Sequence, residues 1–72
     1  MMLNMNEQSK KLGENLKRIR IEKGMSQADI CRELEVDKGY ISNIEAGKQN
    51  PTLVTLARLA KALNVSVDEL LK

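Results

Sequence analysis

Lys38, Gly39, Ser42 and Asn43 fall on one face of a short helical segment, and Ile41 and Ile44 fall on the other. The polar set is a hydrogen-bonding array of a particular kind. A lysine ammonium donates to O6 and N7 of a guanine edge, and an asparagine amide pairs bidentately with N6 and N7 of adenine. Ser42 can serve either kind of edge, or a phosphate oxygen. Gly39 has no side chain, so it allows close approach without reading anything. Asparagine has little helix preference, so its placement in mid-helix favours a contact role. Each good bidentate contact would discriminate by about 1–3 kcal/mol.

Such a face needs elements to position it. Caps and apolar spacing predict five helices, and no stretch alternates long enough to predict a strand. The first helix is expected from about Ser9 to Lys23, with Leu12, Leu16 and Ile19 inward and Gly24 as its stop. The second starts at Ser26, whose hydroxyl caps the Asp29 amide, and turns Ile30, Cys31 and Leu34 inward. The third has Asp37 as its cap and ends at Gly47. The fourth follows Pro51 and the cap Thr52, with Leu53, Leu56, Ala60 and Leu63 as its apolar stripe and Arg58 and Lys61 off it. The fifth is short, with a Ser66/Glu69 capping box, and Leu70 and Leu71 close the core. Leu70 and Leu71 fit a dimer interface as readily. Residues 1–8 are expected to form a loosely held arm, and residues 9–72 one compact all-α domain. Met2, Leu3 and Met5 of the arm have docking on a neighbouring chain as their alternative role.

Composition narrows the chemistry. With no histidine and one cysteine, Ser-His-Asp and Cys-His nucleophiles and mixed His/Cys zinc sites are excluded. The four glycines are isolated and form no phosphate loop. The expectation is a non-enzyme with no cofactor, metal or small-molecule ligand. A lone Cys31 reads as a small buried apolar residue and suits a reducing, cytoplasmic setting. No apolar run approaches a membrane span, and the N-terminus has no signal-peptide pattern. A chain of 72 residues is one domain of marginal size. The net charge is +2, divided as +3 over residues 1–24, −2 over 25–50 and +1 over 51–72. The basic face of the first helix is either plain solvated surface or, through Lys10, Lys11 and Lys17, an extension of a phosphate-binding track.

Taken in order, Ser26-Gln27, Leu34, Val36, Tyr40-Ile41-Ser42, Ile44-Glu45-Ala46-Gly47, Asn50-Pro51-Thr52-Leu53 and Leu63-Asn64-Val65-Ser66 resemble the Cro/C1-type (XRE-like) helix-turn-helix family over about residues 9–71. The resemblance implies a lambda-repressor-like domain whose second and third helices form the helix-turn-helix. It implies that Gln27 contacts a phosphate and also braces a base-reading side chain. Lys38, Gly39, Ser42 and Asn43 take the base-facing positions. Tyr40 touches backbone or a thymine methyl, with its ring partly packed, and Lys48, Gln49 and Asn50 form the loop that holds the next phosphate. Arg20 and Glu45 match an ion pair joining the first and third helices. One departure is Glu35, where the family often has glycine because the chain turns left-handed. Glutamate there costs roughly 1 kcal/mol, or the turn rearranges and re-aims Lys38.

What the resemblance implies is a sequence-specific double-stranded DNA-binding regulator. It would act as a homodimer on a pseudo-palindromic operator, with repression or autoregulation as the default. The alternative is a protein-interaction module, antitoxin-like or polymerase-contacting, supported by the acidic middle segment and by Gly39.

Overall fold

The computed structural model describes residues 5–72, with side chains from residue 7 onward. Among the described residues all regular structure is helical: α1 (Met5–Glu22), α2 (Gln27–Leu34), α3 (Lys38–Glu45), α4 (Leu53–Leu63) and α5 (Val67–Leu71). α1 packs on α3 and α5, α2 packs on α3 and α4, and α4 packs on α5. The core between them is aliphatic, with Leu16, Ile30, Ile41, Ile44, Leu59, Leu63 and Leu70 its largest fully buried side chains.

α1 begins at Met5, four residues before the expected start at Ser9. Ser9 lies inside the helix: it is buried, and its Oγ donates to Asn50 Oδ1 across the fold. The rest of the expected arm, residues 1–4, lies outside the described residues.

Caps set the other boundaries. Ser26 Oγ accepts from the Asp29 amide at 3.0 Å, and Asp29 Oδ2 accepts from the Ser26 amide at 2.8 Å, a full capping box. Thr52 caps α4 through the Thr55 amide. Ser66 caps α5 through the Glu69 amide, but Glu69 accepts from Lys72 instead of completing a box. Asp37 occupies the N-cap of α3 with extended backbone, yet its side chain makes no cap hydrogen bond.

The stripe of α4 differs by one residue from expectation. Leu59 is fully buried, whereas Leu53 is 77% and Val54 71% exposed. Helical spacing does not separate the two sets: at 100° per residue Leu53, Leu56, Ala60 and Leu63 fall within about 80° and Leu56, Leu59, Ala60 and Leu63 within about 100°, but Leu53 sits at the first turn of α4. Leu70 is buried and Leu71 half-exposed, so only the first closes the core.

Glu35 settles the question of the turn. Its φ of 58° and ψ of 46° are left-handed, so glutamate takes the conformation for which glycine is favoured and the turn keeps its form. The Val36 amide donates to Cys31 O at 3.1 Å and closes the end of α2.

Candidate nucleic-acid interface

α3 is eight residues long, and its two faces separate cleanly. Ile41 and Ile44 are fully buried, while Lys38, Gly39, Ser42, Asn43 and Ala46 are exposed. On a helix turning 100° per residue, these five span an arc of about 140°. The structure therefore brings four of the expected base-facing positions onto one open surface. A Cβ added at Gly39 would meet nothing within 4 Å, so that surface is free of protein contact.

Tyr40 is placed elsewhere. It is half-buried against the core and lines a cleft of about 350 Å³ with Glu35, Val36, Asp37 and Thr55. At 100° per residue its position lies about 60° outside the exposed arc of α3.

What holds α3 at its angle is a carboxylate shared by three helices. Glu45 Oε2 accepts from Arg20 Nε at 2.7 Å, and Glu45 Oε1 accepts from Arg20 Nη2 at 3.2 Å and from Gln27 Nε2 at 3.0 Å. Arg20 Nη1 also donates to Met25 O at 2.8 Å, the connection between α1 and α2. The Arg20 and Glu45 side chains are only 12% and 5% exposed, so neither charge has water as a ready substitute. Gln27 accordingly spends its amide nitrogen on Glu45, and its side chain braces α3. Its main-chain N–H remains available in the first turn of α2 with that of Ala28, because the capping box uses only the amides of Ser26 and Asp29. Such amides suit a phosphate.

Two ionisable groups of α2 are shifted by their surroundings. The Ser26 backbone and side-chain hydrogen bonds hold the Asp29 carboxyl below the usual carboxylate range, helped by Arg32. Asp29 is thus ionised at neutral pH and engaged by the cap and by Arg32. Burial pushes the Cys31 thiol up, which keeps it protonated and inert within the core.

The loop after α3 is set by Gly47 at φ +77°. The Gly47 amide donates to Ile44 O at 3.0 Å and the Lys48 amide to Asn43 O at 2.9 Å, the paired bonds of a left-handed helix end. Lys48 and Asn50 are exposed and Gln49 half-buried. Asn50 is tied back to Ser9 through its Oδ1.

Three positioning residues escaped the sequence reading. Arg58 Nη2 donates to Leu34 O at 2.7 Å, so α4 holds the last carbonyl of α2 beside the turn. A Cβ at Gly13 would overlap Ile44 O and lie 2.6 Å from Glu45 O, so α1 touches the end of α3 at backbone distance. Ser9 completes that contact. The available signal was a small-residue pair, Ser9 and Gly13, one turn apart on an otherwise aliphatic face. Among the described residues, no group of three His, Cys, Asp or Glu side chains could hold a metal ion, and no helix is long and apolar enough to cross a membrane.

The chain is similar in sequence and fold to known proteins. A family model described as helix-turn-helix (HTH_3) matches residues 16–70. An uncharacterized HTH-type transcriptional regulator of Sinorhizobium fredii is 43% identical over 61 residues, covering 85% of this chain and 79% of that protein. The restriction-modification controller protein C.AhdI from Aeromonas hydrophila superposes with a TM-score of 0.82 at 34% identity, covering 86% of this chain and 94% of that one. The controller protein C.Esp1396I, solved as a tetramer in complex with its natural 35 base-pair operator, superposes with a TM-score of 0.74 at 36% identity, covering 89% of this chain and 95% of that one.

Proposed function

The chain belongs to the HTH_3 helix-turn-helix family, and on that premise we propose that it is a DNA-binding transcriptional regulator that works as a homodimer on a pseudo-palindromic operator. The observation that carries the proposal is the face of α3. Lys38, Gly39, Ser42 and Asn43 stand open on a helix whose opposite face is fully buried and whose carboxylate is fixed by Arg20 and Gln27. In the major groove, Lys38 and Asn43 would supply direct readout, while the α2 amides and Lys48 would hold phosphates on either side. The proposal assigns the chain no catalytic chemistry and a cytoplasmic location.

The second copy is argued from need and from surface. The domain measures 37 × 22 × 21 Å. One such module covers a single half-site, and two half-sites lie about 34 Å apart. Leu53 and Val54, 77% and 71% exposed, form an apolar pair at the first turn of α4, just beyond the phosphate-facing loop. A two-fold contact through them would set two α3 helices in successive grooves. Repression follows by default, because a dimer over a promoter blocks polymerase without further machinery.

Selection of binding sites from a random duplex pool tests the proposal. A recovered inverted repeat with half-site centres one helical turn apart supports it, and a pool that stays random contradicts it.

The cleft lined by Glu35, Val36, Asp37, Tyr40 and Thr55 favours a second role, in which a protein partner occupies the turn and DNA reading is secondary. Its apolar floor and acidic rim suit a basic segment of a partner. Retention of all function by a Lys38→Ala/Asn43→Ala variant would favour that role.

A further inference from the structure

We propose that the DNA-binding surface continues past the helix-turn-helix onto α1, where Lys10 joins Lys48 and the Asn50 amide in holding one further backbone phosphate. The inference rests on the DNA-binding reading above and names a contact that the helix-turn-helix does not include.

The observation behind it is how closely α1 meets the loop that follows α3. A Cβ on Gly47 would lie 3.1 Å from Lys10 Cα and 3.5 Å from Lys10 N, so the two main chains touch. Lys48 is the next residue along. Ser9, buried beside Lys10, donates to Asn50 Oδ1, which fixes the acceptor end of that amide on the protein side. Asn50 Nδ2 takes no part in that bond and keeps its two N–H donors. One turn further, Gly13 packs on the Ile44 and Glu45 carbonyls. The first turns of α1 and the loop at 46–50 are therefore one unit, continuous with the end of the reading helix.

Charge points to the ligand. Lys10 and Lys48 are both exposed, and among the described residues neither makes an ion pair or side-chain hydrogen bond. Arg18, Arg20, Arg32 and Lys72, in contrast, are all paired with carboxylates. Glu7 and Glu14 flank Lys10 on α1, but with Lys11 and Lys48 included the local balance stays positive. Two ammonium groups and an amide donor, carried by touching backbones, suit a singly charged phosphodiester that needs positioning and no sequence readout. Lys17 stands two turns along α1, about 10 Å away, and does not belong to the cluster.

The test compares the full chain with Lys10→Ala, Lys10→Arg and Lys23→Ala on the selected operator and a scrambled duplex over a salt series. Lys10→Ala is expected to weaken both duplexes by the same factor, with unchanged melting temperature. It should also flatten the slope of log K against log salt by about one unit, so that the wild-type advantage shrinks about three- to fourfold between about 50 and about 200 mM salt. Lys10→Arg should restore the slope, and Lys23→Ala, just past the far end of α1, should leave it alone. A Lys10→Ala protein with wild-type affinity and slope overturns the inference. So does one that loses affinity without a slope change. If the wild-type chain binds both duplexes equally while Lys10→Ala still flattens the slope, the phosphate contact stands and the sequence-reading role falls. If it binds neither, both fall.

Discussion

Arg20 on α1 and Gln27 on α2 converge on a single α3 carboxylate, that of Glu45, at 2.7 and 3.0 Å. One anion thus fixes α3 against both α1 and α2, and it does so from the buried side of α3. The exposed side chains of Lys38, Ser42 and Asn43 stay uncommitted because the positioning is done behind them.

Glu45→Ala would leave the Arg20 guanidinium nearly buried without its partner. Loss of one member of a buried pair costs about 3–5 kcal/mol, so urea unfolding should show a drop of that size. The exposed pair Arg18–Glu22, at 53% and 60% exposure, serves as the control, and Glu22→Ala should change stability by less than about 1 kcal/mol.

Two glycines should respond in opposite directions to the same substitution. At Gly13 an added methyl runs into the Glu45 carbonyl at 2.6 Å, which is backbone and cannot turn aside. Gly13→Ala is expected to cost at least about 1–3 kcal/mol through overpacking. Gly39 has open space and an ordinary helical conformation, so Gly39→Ala should stabilise the fold by roughly 0.5–1 kcal/mol. Thermal melts of the two variants should move to opposite sides of wild type. On DNA, Gly39→Ala should lose affinity if α3 approaches the bases as closely as proposed.

Glu35 holds a left-handed backbone at φ 58°. Glu35→Gly removes that strain, offset in part by the greater freedom of glycine in the unfolded chain. A net gain of roughly 0.5–1 kcal/mol is expected. For a domain of this size that raises the melting temperature by about 2–8 °C. An unchanged or lower melting temperature would show that the glutamate makes a compensating contribution in the turn.

Acid should weaken the start of α2. The folded-state pKa of Asp29 is depressed, chiefly by its Ser26 hydrogen bonds. The stability it contributes is therefore fully present above the ordinary carboxylate pKa and is lost as pH falls through the lower folded value. Asp29→Asn should flatten the acid limb of a melting-temperature profile below about pH 4 and leave the profile near neutrality parallel to wild type. With no histidine in the chain, no side chain of ordinary pKa titrates between about pH 5 and 8.

Local chemistry explains which features were legible in the sequence. Ser26 and Thr52 cap where a hydroxyl before an apolar run says they should, and Gly24 and Gly47 end helices as their backbone freedom allows. The open face of α3 was legible because polar and apolar residue types segregate at helical spacing. Leu53 misled because LVTLARLAKAL holds two overlapping apolar stripes, and only packing from α2 and α5 selects the one through Leu59. Asp37 has the right type for a cap and the right position, yet makes no bond, which no local pattern reveals. The partners of Gln27, Asn50 and Arg58 were invisible for a different reason. They lie 18, 41 and 24 residues away in the chain, so the contacts exist only once the helices have packed.

The central claim is that the outward face of α3 reads base edges, and equilibrium binding of wild type and Lys38→Ala/Asn43→Ala to the selected operator and a scrambled duplex tests it most directly. Wild type should prefer the operator strongly, with the preference persisting at raised salt. The variant should bind both duplexes alike with an unaltered melting temperature. Operator preference that survives in the variant would contradict the claim.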